Sequence, residues 1–195
     1  MRAFLFLVAV LQILFGEVTF GSNAEQLHET MLIRRAYIDI TGVMPTPNEI
    51  EWLIVYCDNS YISAIDYLYE KYNTKLIKKY VLSDAYKNQS PRLLSDIELN
   101  KSLLYLAGID QSNPTLESNI LKAKQSLIAQ AIACSDGRGD TIDYICNLLM
   151  SRSSTVQENN KLNRIFNEVE SASGEQQAWM YILKEILTYN DVRYK

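Results

Sequence analysis

The chain has 195 residues, 48% of them hydrophobic and 22% charged, with a formal net charge of −4. That is ordinary globular composition, enough for one sizeable core or two small ones in contact. A mildly acidic chain without a basic stretch lacks the footprint that phosphate binding needs, which argues against sequence-independent association with nucleic acid.

The first segment, MRAFLFLVAVLQILFGEVTFGSNA, is unlike the rest. Arg2 supplies a positive start, Ala3 to Phe15 are apolar except for Gln12, and a more polar tail carries Gly21, Ser22 and Ala24. This is the three-part layout of a secretory signal over residues 1–24, with cleavage expected before Glu25 and, as second choice, after Gly21. The alternative is a retained membrane anchor over residues 3–20, although Glu17 interrupts the run before the roughly 20 apolar residues a span requires. Residues 25–195 are then expected to form a single helical domain, exported to the periplasm or beyond the cell.

Apolar spacing in that remainder is helical almost throughout. Ile33, Ala36, Tyr37 and Ile40 recur at i, i+3, i+4 and i+7, as do Ile50, Leu53, Ile54 and Cys57. Tyr61, Ile65, Leu68 and Tyr72 trace a third stripe, and Lys75 to Asn88 is less regular. The longest stripe runs through Leu116, Ile120, Ala123, Leu127, Ala131 and Cys134. Further ones pass through Ile142, Ile145, Cys146 and Leu149, through Leu162, Ile165, Phe166 and Val169, and through Trp179, Ile182, Leu183 and Ile186. No segment alternates with period two for long enough to predict a strand, so the fold class is all-α, a compact bundle of about eight or nine helices. Ser90-Pro91 and Asn113-Pro114 read as caps with proline at the first helical position. Gly108 and Gly137 read as left-handed helix ends, Asp140 as a cap, and Gly174 as the break between the last two helices. A soft sub-boundary falls near residues 88–91.

The most purposeful stretch is Arg34 to Leu53, RRAYIDITGVMPTPNEIEWL. Gly42 ends one helix, Pro45 stiffens the turn, Thr46 caps the next helix, Pro47 opens it and Glu49 reaches back to the Thr46 amide. Arg35 and Asp39 stand at i, i+4, hence neighbours on the helix surface, and are expected to fix the corner as an ion pair or a hydrogen-bonded brace. These residues also resemble the secreted, cytochrome-associated helical domain of unknown function found in planctomycete-type exported proteins. That family carries a basic residue, an aromatic, an aliphatic-Asp-aliphatic-Thr-Gly run and Pro-Thr-Pro before acidic and aliphatic residues. The match runs through Arg34, Arg35, Tyr37, Ile38, Asp39, Ile40, Thr41, Gly42, Pro45, Thr46, Pro47, Glu49 and Ile50. The resemblance implies an exported helical module and carries no catalytic residues over. The chain departs from the family's setting in having no Cys-x-x-Cys-His for haem attachment.

Catalytic machinery is scarce. The single histidine, His28, is the one residue on which any Ser-His-Asp or Cys-His arrangement would depend. One His and three separated cysteines, Cys57, Cys134 and Cys146, do not suggest a zinc site. No metal or cofactor is expected. A carboxylate-pair hydrolase centred on Asp39 or the acidic loops is the enzymatic alternative. In Cys134 to Cys146, CSDGRGDTIDYIC, either a Cys134–Cys146 disulfide clamps the hairpin or two buried thiols face its core. Arg138-Gly139-Asp140 within it is expected to be part of a helix–helix turn rather than an adhesion loop. Thirteen tyrosines are many for this length, and Tyr56, Tyr67, Tyr105, Tyr189 and Tyr194 are candidates for an interaction surface. The expectation is therefore an exported, non-enzymatic protein that binds a protein partner at the envelope or surface. The structural alternative is a membrane-anchored or virion-associated component.

Overall fold

The structure, a computed structural model, describes residues 22–58 and 60–193, with side chains from residue 29 onward. Among the described residues it is all-helical, with eleven helices, eight of them seven residues or longer. They are α1 (Ser22–Thr41), α2 (Pro47–Tyr56), α3 (Tyr61–Lys71), α4 (Lys78–Val81), α5 (Asp84–Lys87) and α6 (Asp96–Leu106). After these come α7 (Glu117–Ala133), α8 (Arg138–Met150), α9 (Val156–Ser173), α10 (Glu175–Ile186) and α11 (Asn190–Arg193). The signal segment expected at residues 1–24 lies almost wholly outside the described residues. Among those described, no helix is long and apolar enough to cross a membrane.

Buried side chains gather into two adjoining cores. Ile33, Ala36, Tyr37 and Ile40 of α1 pack with Ile50 and Leu53 of α2, Ile65 and Leu68 of α3, and Tyr86 of α5. The second core joins α6 to α11 around Leu103, Leu127, Ile145, Phe166, Trp179 and Ile182, and takes Ile38 and Met44 from the first half. α1 is thus buried on both sides, which a single stripe at i, i+3, i+4 does not anticipate. α9 and α10 show the cleanest amphipathic pattern and pack against one another as a hairpin. Their hinge is Gly174, at φ +84°, a region that side chains with a Cβ rarely adopt.

The junction between the cores is polar and specific. The Met44 amide donates to Ser102 Oγ at 2.9 Å, and Arg34 Nη2 donates to the Leu149 carbonyl at 3.0 Å. The Leu94 amide donates to the Arg193 carbonyl at 2.7 Å, tying the connecting segment to the last helix.

Three punctuation readings are corrected. α6 is opened by Ser95 and Glu98 as a capping box, so Pro91 lies in the extended segment before it. α7 starts at Glu117, leaving Asn113-Pro114 in the preceding turn. Gly137 is extended, with φ −174°, and is the residue before α8, so Asp140 falls within the first turn instead of capping it. Both prolines stand upstream of the helices they were expected to open, and α8 begins at Arg138, ahead of the expected Asp140 cap.

Candidate functional site

The corner after α1 is built from local chemistry. α1 stops at Thr41, and Gly42 follows at φ +80° with its amide donating to the Ile38 carbonyl at 2.8 Å. Pro45 is buried in the turn. Thr46 caps α2: its Oγ1 accepts the Glu49 amide at 3.2 Å, while Glu49 Oε2 accepts the Thr46 amide at 2.8 Å and its hydroxyl at 2.9 Å. Pro47 is the first helical residue. The other Glu49 oxygen, Oε1, accepts the Tyr37 hydroxyl at 2.7 Å and the Tyr105 hydroxyl at 2.6 Å. Burial works against this carboxylate's charge. Hydrogen bonds from Tyr105, the Thr46 amide, Tyr37 and the Thr46 hydroxyl outweigh it and hold Glu49 below its ordinary range. With four donors satisfied it serves as a strut, with neither a proton to give nor a lone pair aimed at a substrate.

Arg35 and Asp39 meet through a third residue. The Arg35 guanidinium lies 4.6 Å from the centre of the Tyr86 ring, and the Tyr86 hydroxyl donates to Asp39 Oδ2 at 2.7 Å. Arg35 turns its head to Gln89, donating to the backbone oxygen at 3.1 Å and to Oε1 at 2.5 Å. Of the two expected forms, the contacts are those of a brace from α1 onto α5 and the residues after it, made through Tyr86 and Gln89. Burial, then the Asp39 charge, pushes the Tyr86 phenol up and keeps it a neutral donor.

Above this corner lies an aromatic ledge. Ile50 and Leu53 turn α2 inward, so Trp52, Val55 and Tyr56 face out, with Val55 73% and Tyr56 67% exposed. Trp52 and Tyr56, at i, i+4, stack with ring centres 4.3 Å apart and planes 14° apart. Tyr67 of α3 closes on Trp52 at 4.5 Å. Lys71 stands 5.5 Å from the Tyr67 ring and 5.2 Å from Tyr72. A shallow cleft of about 310 Å³ runs beside the rings, with Asn48 and Glu49 among its walls. The ledge thus sits on a base that the Glu49 strut fixes. Of the tyrosines proposed for a surface, Tyr56 and Tyr67 are on the ledge, while Tyr105 belongs to the strut. Tyr189 buries its hydroxyl without a partner, and Tyr194 is outside the described residues. Trp52 was missed in sequence, although it and Val55 fall off the Ile50–Leu53–Ile54–Cys57 stripe.

The remaining candidates disperse. The His28 side chain is outside the described residues. Arg138-Gly139-Asp140 forms the first turn of α8, and the Arg138 head covers the Phe166 ring at 4.0 Å and pairs with Glu170 at 3.3 Å. Cys134 and Cys146 stand as separate free thiols, Cys134 exposed and Cys146 buried, and burial pushes the Cys146 thiol up to about 12. Glu158 and Asp191 share a shallow groove, but both are held by Arg152, at 2.9 Å and 2.6 Å. The Arg152 guanidinium lowers Glu158 to about 2 against the opposing effect of burial, so it stays ionised. No cluster of three or more His, Cys, Asp or Glu that could hold a metal occurs among the described residues.

Comparison with known proteins adds no relative: no family model, curated protein or solved structure matches the chain, and the likeness at Arg34 to Ile50 rests on those residues alone.

Proposed function

We propose that the chain is an exported helical module that binds a protein partner through the aromatic ledge of α2 and α3. The observation that carries this reading is the stacked Trp52–Tyr56 pair, left at the surface above a corner whose Thr46 and Glu49 side chains are spent on one another and on Tyr37 and Tyr105. Exposed Trp and Tyr are the residue types that dominate binding energy at interfaces. Rings already held in place lose little freedom when a partner arrives. The partner it fits offers an apolar surface with acidic groups at its edge for Lys71. The hydrolase alternative is less well supported, since Glu49, Glu158, Asp39 and Asp191 are all tied to fixed hydrogen-bond donors. In the anchored alternative residues 3–20 stay in a membrane and the same ledge faces the partner; the intact mass of the native protein separates the two forms.

The test is capture from the native envelope fraction with the wild-type, Trp52→Ala and Tyr56→Ala chains side by side. A protein held by the wild type and lost from both variants supports the reading. Equal recovery by all three overturns it.

A further inference from the structure

A second feature lies at the junction of the two cores. A cleft of about 610 Å³ opens between α1, the connecting segment, the end of α8 and α11. Volumes of this size enclose small organic ligands. Its walls carry four cations, Arg34, Arg35, Lys87 and Arg152, against one carboxylate, Asp191. In a chain of net charge −4 that excess is concentrated, not a sample of the surface.

Asp191 is paired with one of the four, accepting Arg152 Nε on its Oδ2 at 2.7 Å, so Arg152 is set aside and an incoming head group falls to the other three. Arg152 is in turn doubly bound by Glu158. Arg35 is only 8% exposed, its Nε has no hydrogen-bond partner, and no carboxylate stands within 4 Å of it among the described residues. A buried guanidinium N–H without an acceptor is costly, and an arriving anion changes the local field in its favour. Arg34 is 6% exposed, donates through Nη2 to the Leu149 carbonyl at 3.0 Å, and is brought down to about 10 by burial against the opposing charge of Asp191. Lys87 rests 5.5 Å from the Tyr61 ring at the rim. The rest of the lining is apolar: Leu32 and Met150 are buried, and Met31 is 57% exposed at the mouth.

We propose that this cleft binds an amphiphilic organic anion, its carboxylate or phosphate head among Arg34, Arg35 and Lys87 and its aliphatic body on Met31, Leu32 and Met150. Guanidinium groups suit such heads because their N–H donors match two anionic oxygens at once. The inference is independent of the ledge, which lies on α2 and α3.

Calorimetric titration of the full chain with decanoate, decyl phosphate, decyltrimethylammonium and inorganic phosphate tests it. Saturable one-to-one binding of decanoate or decyl phosphate is expected, and whichever binds tighter identifies the head. Lys87→Gln and Met31→Glu, both outside the buried core, should each weaken that binding about tenfold, the loss of one charge-assisted contact or the addition of one repulsion. Arg35→Gln should abolish it, with circular dichroism confirming the helical fold. The proposal is overturned if neither anion saturates, if the decyl cation binds equally well, if inorganic phosphate binds as tightly as decyl phosphate, or if Lys87→Gln or Met31→Glu leaves affinity unchanged.

Discussion

Tyr105 of α6 and Glu49 of α2 meet across the junction of the two cores, the phenol donating to the carboxylate at 2.6 Å. They are separated by 56 positions in the chain, and the same oxygen also accepts Tyr37 from α1. One carboxylate thereby joins three helices and caps one of them.

Glu49→Gln should therefore cost far more than loss of the cap. An amide accepts through one oxygen only, so it leaves two phenols, the Thr46 amide and the Thr46 hydroxyl competing for fewer lone pairs. The expected destabilisation is about 2–3 kcal/mol, against about 1 kcal/mol for Thr46→Ala. Urea denaturation of both variants checks the order; equal losses would mean that the phenols contribute nothing.

Acid should unfold the protein partly through the same kind of group. Glu49 and Glu158 both have folded values below their ordinary ones, Glu158 at about 2. A depressed carboxylate stabilises the fold fully above its unfolded value and loses that contribution as pH falls through the folded one. Urea midpoints should accordingly drop between about pH 4.5 and 2, and Glu158→Gln should be lower at pH 7 yet less steep over that window. An unchanged slope in the variant would contradict the Arg152–Glu158 pairing.

The two tryptophans should separate surface from core. Trp52 is 41% exposed, whereas Trp179 is 4% exposed and packs on Phe166 with ring centres 4.6 Å apart. Trp179→Ala should cost about 3–5 kcal/mol. Trp52→Ala should stay within about 1 kcal/mol, so its loss of binding would not be a folding defect. Thermal melts of the pair decide this.

Thiol labelling resolves the cysteine alternatives. Cys134 is exposed, while Cys57 and Cys146 are buried with thiols raised by burial. An aromatic disulfide reagent should therefore titrate one thiol per native chain at pH 8 and the other two only in denaturant. A native chain with no reactive thiol, a mass lower by two hydrogens and a proteolytic fragment joining Cys134 to Cys146 would instead establish that bridge.

The helical fold was legible because its stripes are long: Leu162, Ile165, Phe166 and Val169 repeat with one period and face one core. The capping box at Thr46 and Glu49 was legible too, since every partner lies within four positions. What escaped was set by distance along the chain. Nothing local to Asp39 points to Tyr86, or local to Glu49 to Tyr105. The cations of the cleft are spread from Arg34 to Arg152 and form no run. The ledge was half visible: its tyrosines were noted for their number, but Trp52 is identified only by the face of α2 it occupies.

The central claim, a partner seated on the ledge, is tested most directly by placing a photo-reactive amino acid at Val55, 73% exposed beside the stacked rings, and another at Leu121, 48% exposed on α7. Irradiation in the native envelope should give one discrete protein adduct from position 55, absent when Trp52→Ala is added, and none in common from position 121. The same adduct from both positions, or one from position 55 that survives Trp52→Ala, would contradict it.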